Sequence, residues 1–549
     1  MFFCKYILRF IVPLFVGTCF ALVASYLLRQ GHPHEDAFIL FVYAENMAAG
    51  NGIVYFAGGG PAEGATDFLW MFLISVFVRF GVTSAWAAAL INSIGMAVLC
   101  FVVQSYLWRA DRILLSLIMS LFFGFLLLVS PIAAASYAGF SVAFYVSVIA
   151  IVFCLQERKK QLYLIPYLGL ILGLIRPDGL IIGVTATLLV IIDAWRKKCL
   201  KRYVLHSFVV FVLGCIYFYW RYRYFGLLLP LPLYVKSVAN SVFAGWRDNY
   251  VWFRLNILLI ASSGMLLFAL RKKSISYILA SAPVGVLFVV LLFANQTQNV
   301  AYRFQAPATA IVIILLSVLV GRFVVECESK GMRQVVRVLG AIMLMGYISS
   351  RYYAPVAHSV LRMIVNHDYI NYFPYHLNQH LSQDVKIIMT EAGRMAYWTR
   401  GQKYDLVGLN TPETAVNGPS EEFIEAISPD IIFIHTAGVL PSHFGDTDYF
   451  EMSAHDFLIL LENELVEDLR ESRDHVNRAA FAALDYLLLA ADAHRIVFAR
   501  YYERHVHMYA VRNDGKVDFE AFESALAHSY RPESRDSYID FKRRTNEVR

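Results

Sequence analysis

Charge is scarce in this chain. Asp, Glu, Lys and Arg make up 16% of its 549 residues, where a soluble protein carries about 25%. That excludes an ordinary water-soluble enzyme. Neither an internal repeat nor a low-complexity tract is present, which excludes a fibrous or disordered chain. No Walker loop or Gly-rich dinucleotide fingerprint occurs, so no nucleotide cofactor is expected. The seven cysteines (Cys4, Cys19, Cys100, Cys154, Cys199, Cys215, Cys327) all precede the last 200 or so residues. They suggest no disulfide framework and no cysteine metal site. The formal charge is only +6. The basic clusters lie between apolar runs, where they report membrane orientation, and no nucleic-acid partner is expected.

What is abundant is apolar: 58% of the chain, with a mean hydropathy of +0.53. A membrane helix needs about 20 mostly apolar residues. Eleven runs qualify as candidates, at 8–28, 84–107, 113–130, 140–155, 161–175, 180–194, 203–220, 251–270, 275–294, 306–320 and 335–348. The first is too long, and lacks a small-x-small cleavage site, for a signal peptide. Lys5 and Arg9 put the N-terminus in the cytoplasm. Alternation then puts Arg109 and Arg112, 158–160, 196–202, 271–273 and 322–337 on the same side, and all are basic. The apolar stretch 67–81 would reverse that order if it crossed, so it reads as a helix in the outer interface. One outer loop breaks the charge rule, with Arg221, Arg223, Lys236 and Arg247. An anionic ligand is one reason for cations there.

An α-helical polytopic membrane protein with a C-terminal soluble α/β domain is therefore expected. Its transmembrane module spans 1–350, with the first outer loop at 29–83, and its outer domain spans 351–549. In that domain 386–390 and 430–435 read as buried strands and 421–427 as a helix. Segments 457–469 and 479–491 read as helices, 495–511 as a strand pair, and the tail from Arg531 as a frayed end.

The chemistry points to the first outer loop. His34, Glu35 and Asp36 follow a span directly, and acids at a membrane surface suit proton transfer or metal binding. Asp36 also precedes an apolar-periodic stretch ending at Gly50, so helix capping is the alternative. The loop then turns at Gly50-Asn51-Gly52 and reaches Glu63, Thr66, Asp67 and Trp70.

The segment DAFILFVYAENMAAGNGIVYFAGGGPAEGATDFLW resembles the first periplasmic loop of the GT-C glycosyltransferases. It is most similar to the branch holding mycobacterial terminal β-arabinofuranosyltransferases. Glu35 and Asp36 occupy that branch's acidic pair, with Glu35 where Asp is usual. Ala44, Asn46, Gly50 and Gly52 match the middle, and Glu63, Gly64, Thr66, Leu69 and Trp70 the end. Arg176-Pro177-Asp178-Gly179 matches an RPEG or RPDG motif, and is otherwise a helix break with an ion pair. RYRYFGLLLPLPLYVK matches at Arg221, Tyr224, Gly226, Pro230, Tyr234 and Lys236, and is otherwise an aromatic belt with snorkelling cations. Leu231-Pro232 replaces the usual Asn-Thr there. Tyr302-Arg303-Phe304 with Pro307 resembles RFxxP, with 295–299 in place of a Gly-Gly-Asp, and Ser141 stands where a Glu is common. In the outer domain Glu391, Gly393, Asp405 and Gly408-Leu409 match.

This resemblance implies a GT-C fold and a polyprenyl-phosphate sugar donor. It implies transfer, of D-arabinofuranose in its characterised members, to a surface glycan or a secreted protein such as a pilin. The setting implied is the bacterial inner membrane, with membrane lipids as further partners and the outer domain in the periplasm. Arg221, Lys236, Arg303 and Arg176 would hold the phosphate. Asp36 would be the base, with Glu35 as its partner. A divalent metal, if used, would take Glu35, Asp36 and His34. Glu63, Thr66, Trp70, Asp178, Tyr224, Tyr234 and Glu391 would contact sugar or acceptor, or close the loop. The rival reading is a lipid-linked sugar transporter or flippase. Such a protein would carry charged or broken helices deep in the membrane, and here polar residues gather at the outer face.

Overall fold

The computed structural model describes residues 2–236, 243–270, 274–326, 332–437, 447–461, 474–501 and 505–531. Helix α1 (Phe2–Gln30) leads into a loop carrying α2 (Glu35–Ala48) and α3 (Phe68–Arg79). Helices are thus present at both positions where an interfacial helix was expected from sequence. Then follow α4 (Ser84–Leu107), α5 (Ile113–Val129), α6 (Pro131–Tyr137), α7 (Val142–Arg158), α8 (Ile165–Ile175), α9 (Gly179–Arg196) and α10 (Leu200–Phe225). The basic loop after α10 holds α11 (Leu231–Lys236), and α12 (Trp246–Ala269), α13 (Ser274–Val290), α14 (Ala306–Glu326) and α15 (Met332–Val365) complete the module.

Each expected span coincides with a helix. Among the described residues, six helices are long and apolar enough to cross a membrane: Leu8–Gln30, Ser84–Leu107, Gly179–Arg196, Leu200–Phe225, Trp246–Ala269 and Ala306–Glu326. Helices α5 and α6 make a seventh if taken as one span bent by 51°. Pro131 opens α6, where its missing N–H costs nothing. Helices α8 and α13 are apolar but shorter. The expected boundary at 350/351 falls inside α15, which runs on to Val365 as one helix. Small residues bring α8 and α9 together: a Cβ on Gly183 would lie 2.5 Å from the Gly169 Cα. Helix α10 has Arg221 as its single buried residue, as a lipid-facing helix would.

The C-terminal domain, named the outer domain for its expected side, is built on a six-stranded mixed sheet. Strands β1 (Lys386–Met389), β2 (Gln402–Asp405), β3 (Ile431–Ala437), β4 (Tyr449–Met452), β5 (His494–Arg500) and β6 (His505–Arg512) lie in the order β2-β1-β3-β6-β5-β4. β1 is parallel to both neighbours, and the other pairings are antiparallel. The expected strands at 386–390, 430–435 and 495–511 are all present, as are the helices Glu421–Ile427 and His475–Ala490. The helix expected at 457–469 appears as Ala454–Leu460; its continuation past 461 and the tail past 531 lie outside the described residues.

This domain is bound to the first loop. Helices α16 (Phe373–Asn378) and α17 (Arg394–Trp398) carry its near face. Tyr55 donates to the Ala392 carbonyl at 2.6 Å, and Tyr43 to Asn410 Oδ1 at 3.1 Å. Phe38 packs on Tyr397 with ring centroids 5.0 Å apart. Asp405 anchors the loop that presents Asn410, accepting from the amides of Val407 and Asn410 and from Asn410 Nδ2.

Candidate functional site

A cavity of about 900 Å³ lies between the start of α2, the outer half of α15 and the sheet edge. Asp36 and Glu35 line it, with Arg351, His358 and Arg362 from α15. Glu391, Arg394, His435, Tyr501 and His505 line it from the outer domain. An apolar groove of about 570 Å³ adjoins it, walled by Val23, Phe125, Ala134 and Tyr347. Arg351, Ala354 and His358 belong to both walls, so an apolar channel opens on a polar chamber.

The two acids have separate roles. Helix α2 is capped by His34, whose Nδ1 accepts from the Asp36 amide at 3.2 Å. Burial lowers the His34 pKa, so it is a neutral acceptor there. Asp36 is therefore not the cap. Its carboxylate turns to Arg303, 3.2 Å away. Glu35 faces the outer domain: it accepts from the Gly393 amide at 2.7 Å, the Arg394 amide at 3.0 Å and Arg394 Nε at 2.5 Å. A Cβ on Gly393 would fall 2.2 Å from the Glu35 carbonyl, so only glycine permits this approach. His34, Glu35 and Asp36 are thus directed to three different partners.

The four expected phosphate cations divide. Arg303 is held beside Asp36, with its guanidinium 4.0 Å from the Phe140 ring. Lys236 senses the charges of both Asp36 and Arg303, and burial lowers its pKa. Arg176 pairs bidentately with Asp178 at 3.0 and 3.1 Å, across the α8–α9 break. It shares the Phe304 ring with Arg303, each guanidinium about 5.3–5.4 Å from its centroid. Arg221 is buried against Glu63, 2.7 Å from Nε to Oε1, and donates to the Leu228 carbonyl. That pair pins the loop to α10; none of the four cations is itself among the cavity-lining residues, and Arg303 stands behind Asp36, which is.

The remaining candidates surround these pairs. Thr66 donates to Asp67 at 3.2 Å. Trp70 is buried and stacks on Phe144. The Tyr224 hydroxyl accepts from the Ile53 amide at 3.0 Å, and a Cβ on Gly52, at φ +87°, would crowd it at 2.7 Å. Tyr234 is half-buried on α11. Glu391 faces His435 and His507; burial, and then the Glu35 charge, push its carboxyl up to about 8.

Several residues escaped the sequence reading. Asp67 accepts from Ser141 at 3.0 Å, the position where a Glu is common in the resembled family. Its pKa is raised by burial against the pull of Arg176. Arg351, His358 and Arg362 lay hidden in what reads as a domain junction, though their spacing of seven and four residues marks one helical face. Three buried amides, Asn249, Gln296 and Gln305, and the half-buried Asn299 fix the loop before Arg303. Gln305 donates to Asn249 at 2.7 Å and to Gln296 at 2.5 Å, and Asn299 donates to Gln305 at 2.9 Å. Of these, Gln296 and Asn299 fall in the 295–299 segment that stands in place of the Gly-Gly-Asp.

Residues 371–505 match a domain of unknown function, DUF8728. No curated protein sequence is detectably similar to the chain. Among solved structures, ArnT from Cupriavidus metallidurans bound to undecaprenyl phosphate is similar, with a TM-score of 0.56 at 11% identity, covering 90% of this chain and 97% of that one. The same protein in its apo state gives 0.54 at 13% identity, with the same coverage. The protein therefore has the GT-C fold of ArnT, with a C-terminal mixed-sheet domain joined to its first loop.

Proposed function

We propose that the protein is a membrane glycosyltransferase that moves a sugar from a polyprenyl-phosphate donor to an acceptor hydroxyl. The observation that carries this is the pairing of Arg303 with Asp36, which lines a polar chamber that opens into an apolar groove. An acid within hydrogen-bond reach of a half-buried cation suits a reaction in which a hydroxyl loses a proton while a phosphate departs. The groove suits a prenyl chain, and the shared fold includes a protein bound to undecaprenyl phosphate.

In this reading Arg303 and Lys236 hold the donor phosphate, with Arg351 approaching from the groove. The acceptor oxygen attacks the anomeric carbon, the carbon–oxygen bond to phosphate breaks, and polyprenyl phosphate leaves. Asp36 takes the acceptor proton. Arg176, Asp178 and Asp67 form the layer behind Arg303 and keep it oriented. Glu63 and Arg221 fix the loop. The sugar is D-arabinofuranose and the acceptor a surface glycan or a secreted protein. The chain lies in the bacterial inner membrane, N-terminus inside and mixed-sheet domain in the periplasm.

The test is donor turnover. Purified protein in detergent is given polyprenyl-phosphoryl arabinofuranose or polyprenyl-phosphoryl hexoses, and release of polyprenyl phosphate is followed by mass spectrometry. Release with at least one donor is expected. Binding of every donor without release, in the presence of envelope glycan and protein acceptors, would count for a transporter instead.

A further inference from the structure

The sheet face turned toward the cavity carries a second constellation. His435 on β3 and His507 on β6 are register partners in an antiparallel pair, so both side chains project from the same face. Glu391 stands just past the end of β1, the other neighbour of β3. Thr390 fixes that end, its amide donating to the Phe433 carbonyl and its hydroxyl accepting from the His435 amide at 2.8 Å. Three potential ligand atoms converge: His435 Nδ1 lies 3.0 Å from His507 Nε2 and 3.4 Å from Glu391 Oε1. His507 Nε2 lies 3.4 Å from Glu391 Oε2.

We propose that Glu391, His435 and His507 bind a divalent transition-metal ion of the zinc class on the outer-domain wall of the cavity. Ligand atoms about 2.1 Å from a tetrahedral zinc stand about 3.3–3.4 Å from one another, close to the observed separations. The far side of His507 is already committed: its Nδ1 meets the Tyr369 hydroxyl at 2.7 Å, which in turn meets Tyr509 at 2.9 Å. Such a partner fixes which ring nitrogen faces the metal. A purely hydrogen-bonded His–His–Glu cluster explains the imidazole contact. It leaves Glu391 Oε2 buried without a hydrogen-bond partner, an unusual cost inside a protein. His507 is fully buried, while Glu391 and His435 line the chamber. Three protein ligands closed from behind and open toward the cavity leave a fourth position for a small oxygen ligand. Arg394, the nearest cation, has its charge answered by Glu35. This site shares the chamber with His34, Glu35 and Asp36 but uses none of them as a ligand, and its existence does not depend on the transfer reaction.

The experiment uses the full-length protein in detergent, stripped with a chelator and dialysed against zinc, with metal counted by mass spectrometry. One zinc per chain is expected. Cobalt substituted for zinc should give the intense visible bands of a four-coordinate ion, which needs no variant. Glu391→Gln and His435→Asn should each weaken zinc binding at least about tenfold, and Tyr369→Phe by about tenfold through His507. His34→Asn should leave binding unchanged. Substoichiometric zinc in the wild type, six-coordinate cobalt spectra, or undiminished binding by the Glu391→Gln/His435→Asn double variant would overturn the site. Donor turnover is not read in any arm, so loss of the transferase reading leaves this result intact.

Discussion

Two adjacent acids turn to different partners, Glu35 to the sheet domain and Asp36 to Arg303. Glu35 receives three bonds from the backbone and side chain of Gly393 and Arg394, and so acts as the hinge pin of the outer domain. Asp36 meets one cation and lines the chamber. Sequence could not divide them, because adjacent residues on a helix start differ by about 100° in direction and the partners come from residues 303 and 394. The division predicts different consequences. Glu35→Gln leaves Arg394 buried with a weakened counterion, which costs a few kcal/mol. It should speed amide exchange over 392–411 and lower the melting temperature. Arg303→Ala should raise the KM for the lipid donor about 10- to 100-fold, the worth of a hydrogen bond to a charged group. Its effect on acceptor KM should be much smaller, and equal effects on both would contradict the phosphate assignment.

At the scale of elements, hydropathy and basic loops placed the long apolar helices but not the short α6 and α11, and short apolar runs beside turn residues placed β1 and β3, with β5 and β6 read as a strand pair. Strands β2 and β4 were missed. Each is four residues long, carries polar side chains and is fixed by its sheet neighbour rather than by its own pattern. The histidine pair was also invisible as a pair, since it exists only through β3–β6 register; the His505-Val-His507 alternation was its one local trace. Close packing gives two tests. Gly393→Ala would drive a methyl into Glu35, and it should loosen the outer domain as Glu35→Gln does. Gly183→Leu would force α9 off α8, and should reduce detergent-solubilised yield and thermal stability with no direct contact to the cavity. If Gly183→Leu lost donor binding at unchanged stability, the α8–α9 contact would have a role beyond packing.

For the molecule as a whole, the site belongs to no single layer. The first loop supplies the acid, the turn before α14 supplies Arg303, α15 supplies a cationic face, and the sheet domain closes the chamber. The resemblance in sequence found the loop and the cations but sorted them by motif. The structure shows that Arg221 and Glu63 clamp the loop, and that Arg303 alone of the four cations bonds to the acid pair. Whether Asp36 is the base of a lipid-phosphate sugar transfer is tested most directly by turnover of the Asp36→Asn protein. With wild-type folding verified by melting temperature, the isosteric change should keep donor affinity within a few-fold and lower kcat about 10²- to 10⁴-fold. Turnover near the wild-type rate would contradict the account.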